Sequence, residues 1–238
     1  MRIRLNTNTH ALRRVVMGTL MVLWVIVLAA RGSVSVVDAA TADDLSEDEV
    51  AGLRFMREEE KLARDVYLTL YEQWEMSIFQ NIARSEQRHM DAIGVLLARY
   101  DLEDPAAGRD IGEFTDEELQ ALYDELIATG STSLEDALRV GAAIEEIDIL
   151  DLEERIPEAD HADIVQVYEN LLRGSRNHLR AFTRTQERET GETYTPQYLD
   201  QETYAAIVSG GVERGRGMGR GRGRGGVGRG GRGRGGTR

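Results

Sequence analysis

From Leu45 to about Gln186, apolar residues recur every three or four positions, the period of a helix with one buried face. No stretch alternates apolar and polar residues long enough to predict a strand. Pro105 and Pro157 both fall between the periodic runs. Four long helices are predicted. The first opens on a capping box, Ser46 to Glu49, and runs to about Trp74. Its inward stripe is Leu53, Met56, Glu60, Ala63, Tyr67, Leu70 and Trp74. The second spans about Ser77 to Tyr100, with Phe79, Ile82, Glu86, His89, Ile93 and Leu96 inward. The third spans about Ser133 to Ile156, with Leu134, Leu138, Gly141, Glu145, Asp148 and Leu152 inward. The fourth runs from near Asp160 to about Gln186 or slightly beyond, with Ile164, Tyr168, Leu171, Ser175, His178 and Phe182 inward.

The connections set the arrangement. Helices one and two are joined by a few residues, as are three and four, and short loops make antiparallel pairs. Helices two and three are separated by about residues 101–132. That stretch carries a short helix opened by TDEE, Thr115 to Glu118, and closed at Gly130. The expected fold class is all-α: a four-helix bundle with one long crossover, the ferritin-like arrangement.

Acids and histidines interrupt these apolar stripes near mid-helix. They are Glu60; Glu86 and His89; Glu145 with Asp148; and His178. Antiparallel packing brings them to one level, where bare carboxylates would be prohibitively costly. Two divalent cations would neutralise them, with Glu bridging and His capping each metal. In Glu86-x-x-His89, positions i and i+3 face the same way, so one turn supplies two donors. Against this stand simpler readings. An inward Glu can pair with Arg, and an inward His can be a satisfied core residue. Glu145 and Glu146 compete for one inward position, since a small rotation exchanges them. Tyr67 and Tyr168 suit either core packing or hydrogen bonds to donor carboxylates. Met56 and Trp74 read as core. His161 reads as exposed, and Glu58, Glu59, Glu153 and Glu154 as a solvated face.

Composition and charge extend the picture. The chain has 238 residues and a net charge of −13. The nine arginines from Arg214 onward leave −22 on the remainder, so the body should repel nucleic acid and anionic lipid. Lys61 is the sole lysine. Without cysteine, thiol catalysis and Cys-ligated metal sites are excluded. Arg2, Arg4, Arg13 and Arg14 precede sixteen uncharged residues, Val15 to Ala30, with small residues near Val37 to Ala40. This predicts that residues 1–40 are a cleaved signal peptide or a retained membrane anchor, and that the body is exported to the extracellular side or cell envelope. Residues 41–209 form the expected helical domain. Residues 210–238, Arg/Gly-rich, are expected to be a disordered tail.

Four segments carry a resemblance. Glu58 to Tyr67, Phe79 to Ile93, Gly141 to Leu152 and Gly174 to Phe182 look like the domain of unknown function 2202, a prokaryotic ferritin-like family, over about Leu45 to Gln186. The chain is more distantly similar to rubrerythrin. Glu60, Ala63 and Tyr67 match the spacing of rubrerythrin's first helix, and Glu86 with His89 match its second. The third helix supplies a Glu, for which Glu145 fits the stripe better than Glu146. On the fourth, Ser175-x-x-His178 stands where rubrerythrin has a second Glu-x-x-His, and Asp148 is the substitute carboxylate the stripe offers.

The resemblance implies an iron or manganese site, dinuclear if both positions fill, with Glu60, Glu86, His89, Glu145, Asp148 and His178 as candidate metal ligands. The implied chemistry is a di-metal oxidoreductase using oxygen or peroxide; no separate acid–base residue stands out. Two other readings stay open: a metal-binding or structural module without turnover, tethered by its basic tail, and a metal-free interaction domain. Metal ions are the expected partners. A homodimer is compatible with the sequence, the tail suits anionic polymers or the envelope, and nucleic acid is not an expected partner.

Overall fold

A computed structural model describes residues 45–215. The described residues form six α-helices and one 3₁₀ turn, with no strand. They are α1 (Glu47–Trp74), α2 (Ser77–Arg99), α3 (Glu117–Gly130), α4 (Leu134–Arg155), α5 (Ala162–Thr190) and α6 (Gln201–Ser209). None is long and apolar enough to cross a membrane. The N-terminal segment and the tail from 216 onward lie outside the described residues.

Local signals explain the helix ends. Ser46 caps α1 in a reciprocal box with Glu49. Ser133 caps α4 by accepting from the Asp136 amide. Gly191 ends α5 in the left-handed conformation. The predicted box at Thr115 is corrected: Asp116 caps α3, accepting from the Glu118 and Leu119 amides, while Thr115 Oγ1 donates to Pro105 O.

The four long helices contact one another in a ring, α1 on α2, α2 on α5, α5 on α4 and α4 on α1. Neighbours run antiparallel. Tyr67 and Phe79 pack at one end of the α1–α2 pair while Arg57 reaches Gly94 at the other. Asp148 meets Ser175 while Gly141 meets Phe182. α2 and α4 therefore run the same way, and the chain between them must travel back along the full length of the ring. α3 lies in that crossover, packed on α1 and α4. Tyr67, Phe79 and Phe182 form an aromatic layer from three helices, with ring centroids 5.1–6.5 Å apart. Phe182 lies so close to Gly141 that any Cβ there would strike the ring.

The crossover is held by the outer side of α1. Arg57 donates twice to Asp104, at 2.9 and 2.8 Å. Glu58 accepts from the Thr115 and Asp116 amides. Lys61 donates to Asp65 and to Asp110 O, and Asp65 accepts from the Gly112 amide. Glu58 is therefore buried, and Glu59 is buried against Asp151 and Asp148 of α4, which corrects their reading as a solvated face. Glu153 and Glu154 are exposed as expected. Met56 is core, while Trp74 is half-buried and donates Nε1–H to Gly130 O. His161 is half-buried and paired with Glu49 at 2.8 Å, which corrects its reading as exposed.

α6 was not legible as a helix in the sequence; it packs on α5 through Tyr204 and Ile207. Glu146 anchors the approach to it, one carboxylate oxygen accepting from the amides of Gln197, Tyr198 and Leu199. Glu213, which the sequence grouped with the tail, lies against α5, bonded to Arg176, Asn177 and Arg180. Glu146→Ala strips the acceptor from three amides, so it should cost about 3 kcal/mol or more, since each orphaned buried donor costs about 1–3 kcal/mol. Urea unfolding checks this, and a change below the scatter of neutral surface variants would count against the anchor.

Candidate metal centre

The predicted residues converge. Glu60 from α1, Glu86 and His89 from α2, and Glu145 and His178 from α4 and α5 meet in mid-ring, a turn from the aromatic layer. They form two groups of potential metal donors, Glu60–Glu86–His89 and Glu86–Glu145–His178, with all donor atoms in each within 4.8 Å. Glu86 belongs to both. Its Oε2 lies 2.7 Å from His89 Nδ1 and its Oε1 2.8 Å from His178 Nδ1. His89 Nδ1 is also 3.1 Å from Glu60 Oε2, and His178 Nδ1 3.3 Å from Glu145 Oε2. The two imidazoles stack with centroids 5.6 Å apart. The arrangement is nearly symmetric: one shared carboxylate, and one His with one further Glu on either side.

The polar atoms are poorly satisfied by the protein. Glu60 Oε1, Glu86 Oε1, Asp148 Oδ1 and His178 Nδ1 are buried without a hydrogen-bond partner. The Glu86–His178 contact is short yet misaligned for a hydrogen bond. Two donor atoms about 3 Å apart, aimed past one another, are what bonds of ~2.0–2.2 Å to one cation require. Buried polar groups in folded proteins are as a rule paired, and several of the unpaired ones among the described residues gather in this cluster. Hard oxygen and imidazole donors without sulfur suit iron and manganese. The residues present thus fit a pair of divalent cations.

Electrostatics agree. Burial pushes the Glu60 carboxyl up to about 7, against the pull of His89. Burial also raises Glu86, but His178 and His89 together outweigh it and hold Glu86 below the ordinary carboxylate range. Burial would lower both imidazoles; the facing carboxylates reverse this, taking His178 up to about 10 and His89 well above its usual value. Burial raises Glu145, and raises Asp148 strongly with help from Glu60 and Glu145. The protein alone can hold this much charge only by keeping protons on it.

Asp148 occupies a different place from the other five. It is buried beside Glu60 and Glu145, its Oδ2 accepts from the Ser175 hydroxyl, and it falls in neither donor group. Glu145 faces the cluster and Glu146 faces the 197–199 amides, so the structure separates the two acids. Tyr67 donates Oη–H to Glu145 Oε1 at 2.6 Å and so serves a donor carboxylate. Tyr168 does not; its hydroxyl is buried, lacks a partner, and lies near Gly52 and Arg155. Sequence reading missed Glu59. It is buried against Asp151 and Asp148, which with burial raise its carboxyl strongly. An acid beside Glu60 in a stripe of acids was the available signal.

Comparison with known proteins extends the resemblance. "Uncharacterized protein MJ0754" of Methanocaldococcus jannaschii is 53% identical over 171 residues, spanning 72% of this chain and 92% of that protein. The crystal structure of hypothetical protein MJ0754 from Methanococcus jannaschii matches with a TM-score of 0.69, over 71% of this chain and 96% of the other. A family model described as "Uncharacterized protein domain (DUF2202)" matches residues 49–211, beyond the Gln186 at which the resemblance read from the sequence ends and through α6. With that match and that degree of identity, the chain belongs to the DUF2202 family.

Proposed function

We propose that this chain is an exported ferritin-like protein whose four long helices hold a dinuclear iron or manganese centre that reacts with oxygen or peroxide. The observation that carries this is Glu86, one buried carboxylate placed between two His–Glu pairs and left partly unsatisfied. Antiparallel neighbours and a single full-length crossover support the ferritin-like arrangement. Glu60 with His89 would hold one metal, Glu145 with His178 the other, and Glu86 would span both. Asp148, kept in place by Ser175, would add a carboxylate beside them. Such a pair, when bound, supplies two electrons to an oxidant. The chain supplies a buried pocket and fixed donors, with the buried Asp148 carboxyl beside them. Export rests on the N-terminal charge and hydropathy pattern, and contact with envelope or anionic polymers on the Arg-Gly tail.

A second reading is metal binding without turnover. It is favoured by Ser175, which stands where a further carboxylate would complete a symmetric set.

The test is metal content by elemental mass spectrometry of untagged protein grown with iron and manganese, beside a Glu86→Ala/His89→Ala variant. Near two metals per chain, lost in the variant, supports the dinuclear reading and makes peroxide consumption the next assay. Near one supports the reduced site. None in a folded wild type, with a melting temperature indifferent to chelators, would leave a metal-free interaction domain. Tyr67→Phe probes the same centre more gently. Loss of its bond to Glu145 should weaken metal binding about 10–100-fold, as loss of such outer partners does. Competition with a chelator indicator measures it, and unchanged affinity would reduce Tyr67 to core packing.

A further inference from the structure

The ring of helices has four seams, and they are not equally closed. α3 covers the seam between α1 and α4. The segment around Gln197–Leu199, α6 and Glu213 lie along α4 and α5 through Glu146, Arg176 and Arg180. The α1–α2 seam is bridged by Arg64 to Gln87 at 2.7 Å and by Arg57, packed over Gly94 and tied to Asp104. Apart from the Glu86–His178 contact and the His89–His178 stack of the cluster itself, the α2–α5 seam is fastened towards its ends among the described residues. Asp163 takes Arg99 and Tyr100 at one end, and Phe79 packs on Phe182 at the other.

Midway along that seam the side chains are small. Ser85 and Ala92 stand a turn to either side of His89, and Ala181 a turn beyond His178. Gly174 sits opposite His89, and a Cβ there would come within 2.6 Å of the His89 ring. The solvent contact of the donors follows the same line. The side chains of Glu60, Glu86 and Glu145 are 1–2% exposed, whereas His89 is 13% and His178 12% exposed. The donors that water reaches are the two imidazoles flanking Gly174.

We infer that the α2–α5 seam at Gly174 is the route by which divalent cations and oxidants no larger than hydrogen peroxide reach the cluster. This rests on the metal reading above, and it assigns Gly174 and its small neighbours a role in access that no ligand assignment gives them. A hydrated cation would meet the imidazoles first and shed water there, with the carboxylates completing its shell deeper in. Bulky organic peroxides would not pass.

The test uses the full-length chain, stripped of metal. Ser85→Trp and Ala181→Trp put bulk on the seam and replace no donor, and Leu150→Trp puts the same bulk at an exposed site on α4. Ala92→Leu serves as a milder lid if a tryptophan variant fails to fold. One readout is the extent to which brief pulses of hydroxyl radical oxidise each histidine, resolved by peptide mass spectrometry, with His161 as internal reference. The other is the rate of Fe²⁺ or Co²⁺ uptake. Both lids should lower oxidation of His89 and His178, and slow metal uptake, about tenfold or more, for uptake equivalent to a barrier raised by about 1.4 kcal/mol. Oxidation of His161 and the final metal content should not change, and Leu150→Trp should behave as wild type. Lids that leave both readouts unchanged would overturn the route. Protection of the two histidines in a chain that takes up no metal would uphold the seam and overturn the metal reading.

Discussion

Glu86→Ala is expected to empty both metal positions at once, whereas Glu60→Ala and Glu145→Ala should each leave one filled. The asymmetry follows from geometry. Glu60 touches only the His89 side and Glu145 only the His178 side, while the two oxygens of Glu86 reach one imidazole each. Removing even an outer partner of a metal ligand costs ~10–100-fold in affinity, and removing a shared ligand applies a larger loss to both positions. Stoichiometry across the three variants checks this, and equal losses in all three would argue against a bridging role. In the metal-free chain the same residue is the carboxylate that both imidazoliums face. Breaking a buried ion pair from one side costs about 3–5 kcal/mol, so metal-free Glu86→Ala should also unfold at clearly lower urea.

Proton release on metal binding is the second large effect. His178, at about 10 in the folded chain, sits far above the ~6.5 of an unfolded histidine. Its contribution to stability is complete below about pH 6.5 and is lost as pH rises towards 10. His89 acts in the same direction. Glu60, raised from 4.5 to about 7, adds to the trend at lower pH, because the folded chain binds its proton more tightly than the unfolded one between those values. Metal-free protein should therefore lose melting temperature steadily from about pH 5 to pH 10. Glu49 and Glu213, both lowered to about 2, set the acid limb: their stabilisation is present above 4.5 and lost as pH falls towards 2. Cations need the imidazoles deprotonated. Loading near pH 7 should expel at least two protons per chain, and apparent affinity should climb steeply with pH. Calorimetry in buffers of different ionisation enthalpy measures the release. Binding without released protons would mean that the imidazoles are not displaced by metal.

The sequence made the inward stripes legible because a three-to-four spacing fixes direction from a helix axis without knowledge of neighbours. Glu60, Glu86, His89 and His178 follow from that alone. What packs on the outer face of a helix depends on chain that returns from far away. Glu58 is buried because residues 115 and 116 come back to it, 57 and 58 positions later. The α3 cap moved from Thr115 to Asp116 for a related reason, since Glu58 takes the amides of both. Glu145 and Glu146 could not be ordered by periodicity. The distant amides at 197–199 claim Glu146 and so settle the rotation of α4. α6 escaped notice because nine residues with two buried apolar side chains give too short a pattern.

Lys61 determines how the folded molecule can be handled. The chain's single lysine is 1% exposed, its ammonium spent on Asp65, Asp110 and the face of Phe114. Apart from the amine at the chain's own N-terminus, the folded protein offers acylating reagents and aldehyde cross-linkers no primary amine. Lysine-directed immobilisation or fixation should fail on it. For the same reason, one acyl group appearing on Lys61 marks a chain whose crossover has let go, so the residue doubles as a built-in chemical clock for opening.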